Sequence, residues 1–161
     1  MDIRRANMAD AGTIRQIYNV EVTGSTATLD LVPRTSEEQA GWMIAHSGVY
    51  PVIVADDGGE VVGFASLSPY RPRPGYATAV EDSIYVAAQH RGKGIGRALL
   101  SEAVVMARTH GFHSVVARVA ATQEASVALH QACGFDLIGI EREIGRKFGR
   151  WVDVALLQRL L

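Results

Sequence analysis

At 161 residues, 48% of them hydrophobic and 20% charged, the chain has the composition of one globular domain with a sizeable core, not of a disordered segment. A formal net charge of −1 gives no electrostatic footprint for nucleic acid, and no apolar run approaches the roughly 18 residues that a bilayer span needs. The Met1–Arg5 stretch lacks the apolar segment of a signal peptide, one cysteine cannot close an internal disulfide, and no Cys/His cluster suggests zinc, so the expectation is a cytoplasmic protein without a metal.

Asp2 to Ala6 is a short strand candidate. From Asp10 onward, Ala11, Ile14, Ile17 and Tyr18 fall on one helical face. Glu21 to Val32, rich in Thr and Ser and holding Gly24, reads as an irregular loop. Ser36-Glu37-Glu38-Gln39 reads as a capping box opening a second helix that carries Trp42 and Met43. Pro51 to Ala55 suits a buried strand, Asp57-Gly58-Gly59 a tight turn, and Val61 to Leu67 the returning strand of a hairpin. Three prolines between Pro69 and Gly75 demand a loop. Tyr76 to Val86 is the next strand.

A long helix from about Gly94 ends near Gly111, a C-cap candidate. Val115 to Val119 reads as a strand and Glu124 to Ala132 as a helix closed by Gly134. Phe135 to Ile140 and Trp151 to Leu157 are the last strands, joined by a basic turn through Arg146–Arg150. Trp42, Trp151 and Phe148 read as packing residues, the last two at a candidate dimer interface. The resulting order, β-α-α-β-β-β-α-β-α-β-β, argues for an α/β fold of about seven strands in a mixed sheet, flanked by four helices on both faces. Residues 1–161 carry no repeat, linker or low-complexity tract and are expected to form a single domain.

The chemistry concentrates after the fourth strand. Arg91-Gly92-Lys93-Gly94-Ile95-Gly96-Arg97 sets three glycines in five residues among three cations, at the start of a helix whose apolar residues are Ile95, Leu99, Ala103 and Met106. Glycine lets backbone approach a ligand, and the amides at a helix N-terminus are unpaired donors with partial positive charge. Such a turn suits a phosphate or pyrophosphate. The spacing excludes a P-loop, because Lys93 is followed by Gly94. It also lacks the G-x-G-x-x-G of a dinucleotide fold, and Val115-Val116 stand where an acidic residue would follow.

What fits is R-x-x-G-x-G, Arg91 to Gly96, and here the chain resembles the GCN5-related N-acetyltransferases (GNAT). Within them it is similar to the branch that acetylates phosphinothricin and methionine sulfoximine or sulfone. The likeness runs through Ile17-Tyr18-Asn19 with Thr26, Arg71 and Arg73 before Tyr76, Val80-Glu81-Asp82-Ser83-Ile84-Tyr85-Val86, Ser126 to His130 with Gly134-Phe135, and Lys147 to Trp151 with Asp153. Gln123 departs from a usual Asn, Leu29 from a Phe or Trp, and Tyr70 from a frequent Trp.

The resemblance implies the GNAT fold and an acyltransferase using acetyl-CoA on the amino group of a small amino-acid-like substrate, working as a homodimer. It assigns cofactor contacts to Ile84, Tyr85, Val86, Arg91, Gly92, Lys93, Gly94, Ile95, Gly96, Arg97, Gln123 and Ser126, with the Val86 amide facing the developing oxyanion. Arg71, Arg73, Tyr76, Thr26 and Tyr85 become substrate contacts, the arginines as a carboxylate clamp. Glu81 becomes the general base, and His130 a general acid or second base. Asp82, on the opposite face of the strand from Glu81, reads as a surface carboxylate, and Cys133 as a small buried filler. The competing readings are an acetyltransferase of a protein N-terminus, polyamine or antibiotic, and a non-catalytic acyl-CoA sensor.

Overall fold

The computed structural model describes all of residues 1–161. Seven strands form one sheet in the order β1-β2-β3-β4-β5-β7-β6. They are β1 (Asp2–Arg5), β2 (Val52–Asp57), β3 (Glu60–Pro69), β4 (Ala79–Val86), β5 (Ser114–Ala120), β6 (Asp136–Lys147) and β7 (Arg150–Leu160). The helices are α1 (Ala11–Gly24), α2 (Ser36–Ala45), α3 (Ile95–Thr109) and α4 (Glu124–Ala132). Every pairing is antiparallel except β4 with β5. The mixed sheet and element order are those read from the sequence.

Two cores hold the layers together. Val80, Leu99, Leu100, Ala107, Val115 and Leu157 are among the fully enclosed residues of the larger one, under α3 and α4. Ile14, Val22, Val54 and Phe64 centre the smaller one, under α1 and α2. Along β4 the alternation therefore sends Val80, Asp82, Ile84 and Val86 toward α3 and α4, and Glu81, Ser83 and Tyr85 toward α1 and α2.

Three local expectations need correction. The loop expected from Glu21 begins later, since α1 runs to Gly24 and Val22 continues the i, i+4 line of Ile14 and Tyr18 into the core. The box that opens α2 begins one residue earlier than expected. Thr35 is the N-cap, its side chain accepting from Glu38 N at 3.1 Å while Glu38 Oε2 accepts from Thr35 N at 2.8 Å. β6 continues past Ile140 to Lys147 because a bulge between Glu141 and Gly145, with Glu143 at φ 51°, absorbs the extra residues and lets the ladder resume. Phe148 and Trp151, expected to pack at a dimer interface, are 57% and 59% exposed in the single chain. They sit at the hairpin turn and the adjoining start of β7, where neither core reaches them.

The feature that positions the site is a split in the sheet. β4 pairs with β5 only from Ala79 to Glu81, yet β4 runs on to Val86 and β5 to Ala120. Ala87 N donates to Val62 O, so the antiparallel ladder turns residues 85 and 87 toward β3. Ile84 and Val86 consequently point their backbone groups into the gap.

Candidate active site

A cavity of about 460 Å³ occupies that gap, bounded by β4, the start of α3, the end of β5 and the start of α4. Of the expected cofactor contacts, Ile84, Tyr85, Val86, Arg91, Gly92, Gly94, Ile95, Gly96, Arg97, Gln123 and Ser126 all line it. Lys93 does not; it is exposed on the outer side of the turn. Gly92 and Gly94 lie in the left-handed region, at φ 75° and 81°, which the turn requires and a side chain resists. Gly94 caps α3 without any side-chain hydrogen bond, and the first internal bond of the helix is Ala98 N to Gly94 O at 3.1 Å. The amides of Ile95, Gly96 and Arg97 thus have no acceptor within the helix. A pyrophosphate is the chemical complement of this uncapped start, and the ladder-free edge of β4 suits a chain of amides such as a pantetheine arm.

Arg91 is engaged on the protein itself. Its Nε donates to Val86 O at 3.0 Å, and its guanidinium pairs with Glu21, which is 6% exposed at the end of α1. Glu21 also accepts from the Ser25 hydroxyl, and its backbone carbonyl and that of Thr28 accept from Lys147 Nζ at 3.2 and 2.7 Å. Burial lowers the Lys147 ammonium against the pull of Asp30 and Glu21. Neither Glu21 nor Lys147 was singled out as a site residue; no motif marks Glu21, and Lys147 opens the stretch to Trp151 that carries part of the resemblance. Thr26 hydrogen-bonds both Thr122, at 3.0 Å, and Gln123 Nε2, at 3.2 Å, so the α1–α2 loop reaches across to the start of α4.

Glu81 sits on the α1/α2 face opposite Ser68 of β3 and Val116 of β5, half-buried and just outside the cavity lining. Burial pushes its carboxyl above the usual range, against the opposing pull of Arg118 and Arg71. Such a shift moves a carboxylate toward the pKa of a useful base near neutrality.

Asp82, expected at the surface, is 5% exposed and lines the cavity. The reason lies in its neighbours: the strand face it shares with Val80, Ile84 and Val86 is the one that packs under α3 and α4. His130 Nε2 lies 3.0 Å from Asp82 Oδ2, and His130 Nδ1 lies 2.7 Å from Ser126 O. Both ring nitrogens are therefore taken. Burial alone would lower His130, but the hydrogen bond and charge of Asp82 outweigh it and the imidazole is raised.

The substrate expectations divide. Tyr85 lines the cavity with its ring edge-on to Tyr18 at 5.1 Å, and burial pushes its hydroxyl well up. Arg71, Arg73 and Tyr76 stand exposed on the β3–β4 loop and line neither this cavity nor the smaller one beside it. Arg71 rests over the Tyr70 ring at 5.0 Å. Leu29 packs against Gly145 of β6.

Residues 14–135 match the acetyltransferase (GNAT) family. The L-methionine sulfoximine/L-methionine sulfone acetyltransferase of Pseudomonas aeruginosa is 40% identical over 159 residues, covering 97% of this chain and 92% of that protein. A phosphinothricin acetyltransferase structure from Sinorhizobium meliloti, in complex with AcCoA, is 41% identical with a TM-score of 0.95, covering 99% of this chain and 88% of that one. A ribosomal-protein-alanine N-acetyltransferase structure from Brucella melitensis is 38% identical with a TM-score of 0.98, covering 100% of both.

Proposed function

This chain belongs to the acetyltransferase (GNAT) family, and from that premise we propose that it transfers an acetyl group from acetyl-CoA directly to the α-amino group of a small amino-acid-like acceptor. The acceptors are of the methionine sulfoximine, methionine sulfone or phosphinothricin type, as the names of its relatives suggest. One observation carries the reading: an uncapped glycine turn at the start of α3 opens onto the gap between β4 and β5.

Acetyl-CoA supplies an acetyl group already activated as a thioester. The amides of Ile95, Gly96 and Arg97 hold its diphosphate, with the Arg97 guanidinium adding charge. Arg91 contributes to the extent that it can be drawn from Glu21. Gln123 and Ser126 line the path of the arm, and the Val86 N–H donates to the acetyl oxygen as negative charge grows there. Glu81 takes the proton of the acceptor ammonium, freeing the lone pair that attacks. The Asp82–His130 pair holds a proton beside the cavity for the departing sulfur. Arg71 and Arg73, on the exposed β3–β4 loop, draw anionic acceptors in by their field.

Residues 1–161 act as one catalytic domain, with no helix long and apolar enough to cross a membrane, and the cytoplasm is the working compartment. The exposed apolar residues of β6 and of the β6–β7 turn (Leu137, Ile140, Phe148 and Trp151 among them) offer the surface through which two copies pair. An alanine acceptor on a protein is the second reading, favoured by the Brucella melitensis neighbour's name. Against it stands the bridge from Thr26 to Thr122 and Gln123, which narrows the acceptor side. The deciding experiment is thiol release from acetyl-CoA across a panel. Turnover on methionine sulfone, methionine sulfoximine and phosphinothricin, with none on polyamines or alanyl peptides, supports the proposal; the reverse order of preference contradicts it.

A further inference from the structure

A smaller cavity of about 250 Å³ lies on the α1/α2 side of β4, where Ser83 and Tyr85 line both it and the main cavity. Its floor is polar. Ser66, Ser68 and Ser83 stand side by side on β3 and β4, Ser66 directly opposite Ser83. Arg34 closes the far side, and its position is built. Asn19 of α1 clamps its backbone twice at 2.9 Å, accepting from Arg34 N and donating to Arg34 O. The guanidinium lies 3.9 Å over the Tyr18 ring and 4.8 Å from that of Trp42.

The polar groups around this cavity are short of acceptors. Arg34 gives one N–H to Gln39 Oε1 at 3.3 Å and forms no ion pair. Because a guanidinium only donates, Gln39 must turn its oxygen to it. That leaves Gln39 Nε2, on a residue 1% exposed, without any partner. The hydroxyls of Ser66, a residue 3% exposed, and of Ser83 make no hydrogen bond within the protein. Ser68 is different, since His46 Nδ1 is bonded to Trp42 O and the Ser68 hydroxyl therefore donates to His46 Nε2 at 2.9 Å. Asp30 also lines the cavity; its Oδ2 accepts from the Tyr18 hydroxyl, and its Oδ1 is the one carboxylate acceptor left there for an incoming ammonium or for Arg34.

We propose that Arg34, with the Ser66 and Ser83 hydroxyls, holds the negatively polarised oxygens of the acyl acceptor, its carboxylate or the oxygens of a sulfone or phosphinate group. This rests on the acceptor class proposed above and assigns the recognition to Arg34 in place of the exposed Arg71 and Arg73. A fixed guanidinium fork with unspent donors matches an oxyanion in shape and charge, and its preorganisation lowers the entropic cost of docking. Its adjacency to Ser83 and Tyr85 lets the same molecule present its amine to the main cavity.

Trp42 beside Arg34 provides a readout independent of turnover. The chain has two tryptophans, so Trp151→Phe leaves Trp42 as the sole emitter. In that background, methionine sulfone, norleucine and 3-(methylsulfonyl)propylamine are titrated in turn. A saturable change with norleucine assigns the site to the carboxylate; one with the sulfonyl amine assigns it to the sulfone oxygens. Arg34→Gln should abolish the change and raise the KM for methionine sulfone at least tenfold, with acetyl-CoA affinity within twofold. Arg34→Lys, which keeps the charge without the fork, should fall between, and thermal melting checks that both variants are folded. No saturable change with any of the three, or a folded Arg34→Gln protein that responds as before, overturns the proposal. A saturable, Arg34-dependent change without any thiol release on these acceptors would leave the site standing and remove the acceptor class.

Discussion

His130 Nε2 lies 3.0 Å from Asp82 Oδ2, tying α4 to the strand that bounds the larger cavity, while Asp82 Oδ1 is enclosed without a partner. Since Ser126 O can only accept, Nδ1 carries a proton, and a second proton is shared between Nε2 and Oδ2. The folded imidazole is raised, so the stability it brings is complete below the unfolded value of about 6.5 and is lost as pH climbs through the folded one. Asp82→Asn should cost about 1–3 kcal/mol at pH 6, with Asn as a weaker neutral partner, lowering Tm by roughly 2–10 °C. Melting curves against pH check this, and the gap from wild type should shrink as pH rises.

Glu81→Gln preserves shape and removes the proposed base. Turnover should fall about 10²- to 10⁴-fold while acetyl-CoA affinity stays within twofold. Wild-type rate should rise with pH through the raised Glu81 pKa, because only the carboxylate accepts a proton, and the variant should lose that limb. Steady-state rates from acid to neutral pH measure both effects.

Arg91 is shared between Glu21 and the site, so removing it has two consequences. Arg91→Ala should weaken acetyl-CoA binding about tenfold, the worth of one charge-assisted contact, and should also lower Tm by leaving the buried Glu21 carboxylate to Ser25 alone. Glu21→Gln should release the guanidinium and tighten acetyl-CoA binding. Calorimetric affinities of the two variants, moving in opposite directions, test the sharing.

Gly145 faces Leu29, where an added Cβ would stand 2.6 Å from Leu29 Cδ1. The obstructing atom is the end of a flexible side chain, so Gly145→Ala should cost under about 1 kcal/mol. The displaced Leu29 belongs to the loop that covers the acceptor side, so the KM for the acceptor should change while that for acetyl-CoA does not.

The turn proposed to hold the cofactor was legible as a cavity wall because its pattern is local: Arg91 to Gly96 lie within one turn, and the glycine spacing specifies the backbone conformation. The acceptor half was not, because Arg34, Ser66 and Ser83 come from three segments that only the sheet register and the Asn19 clamp bring together. Asp82 could have been found. Its alternation with Val80, Ile84 and Val86 puts it on the more apolar face, where a carboxylate must be buried and therefore paired. The extension of α1 was equally readable, since Val22 keeps the spacing that the Thr and Ser content obscured. The bulge that carries β6 on to Lys147 left no pattern to follow, because the extra residues break the period of two on which strand reading depends.

If the glycine turn at the start of α3 receives the cofactor's diphosphate, calorimetric titration of acetyl-CoA will separate wild type from Gly94→Asp. Gly94 sits at φ 81° and lines the cavity, so aspartate there adds backbone strain and a negative charge facing the diphosphate. Wild type should give a saturable heat and a rise in Tm, and a folded Gly94→Asp protein should give neither. Silence from wild type, or the same affinity in both proteins, would mean that the diphosphate does not sit on this turn.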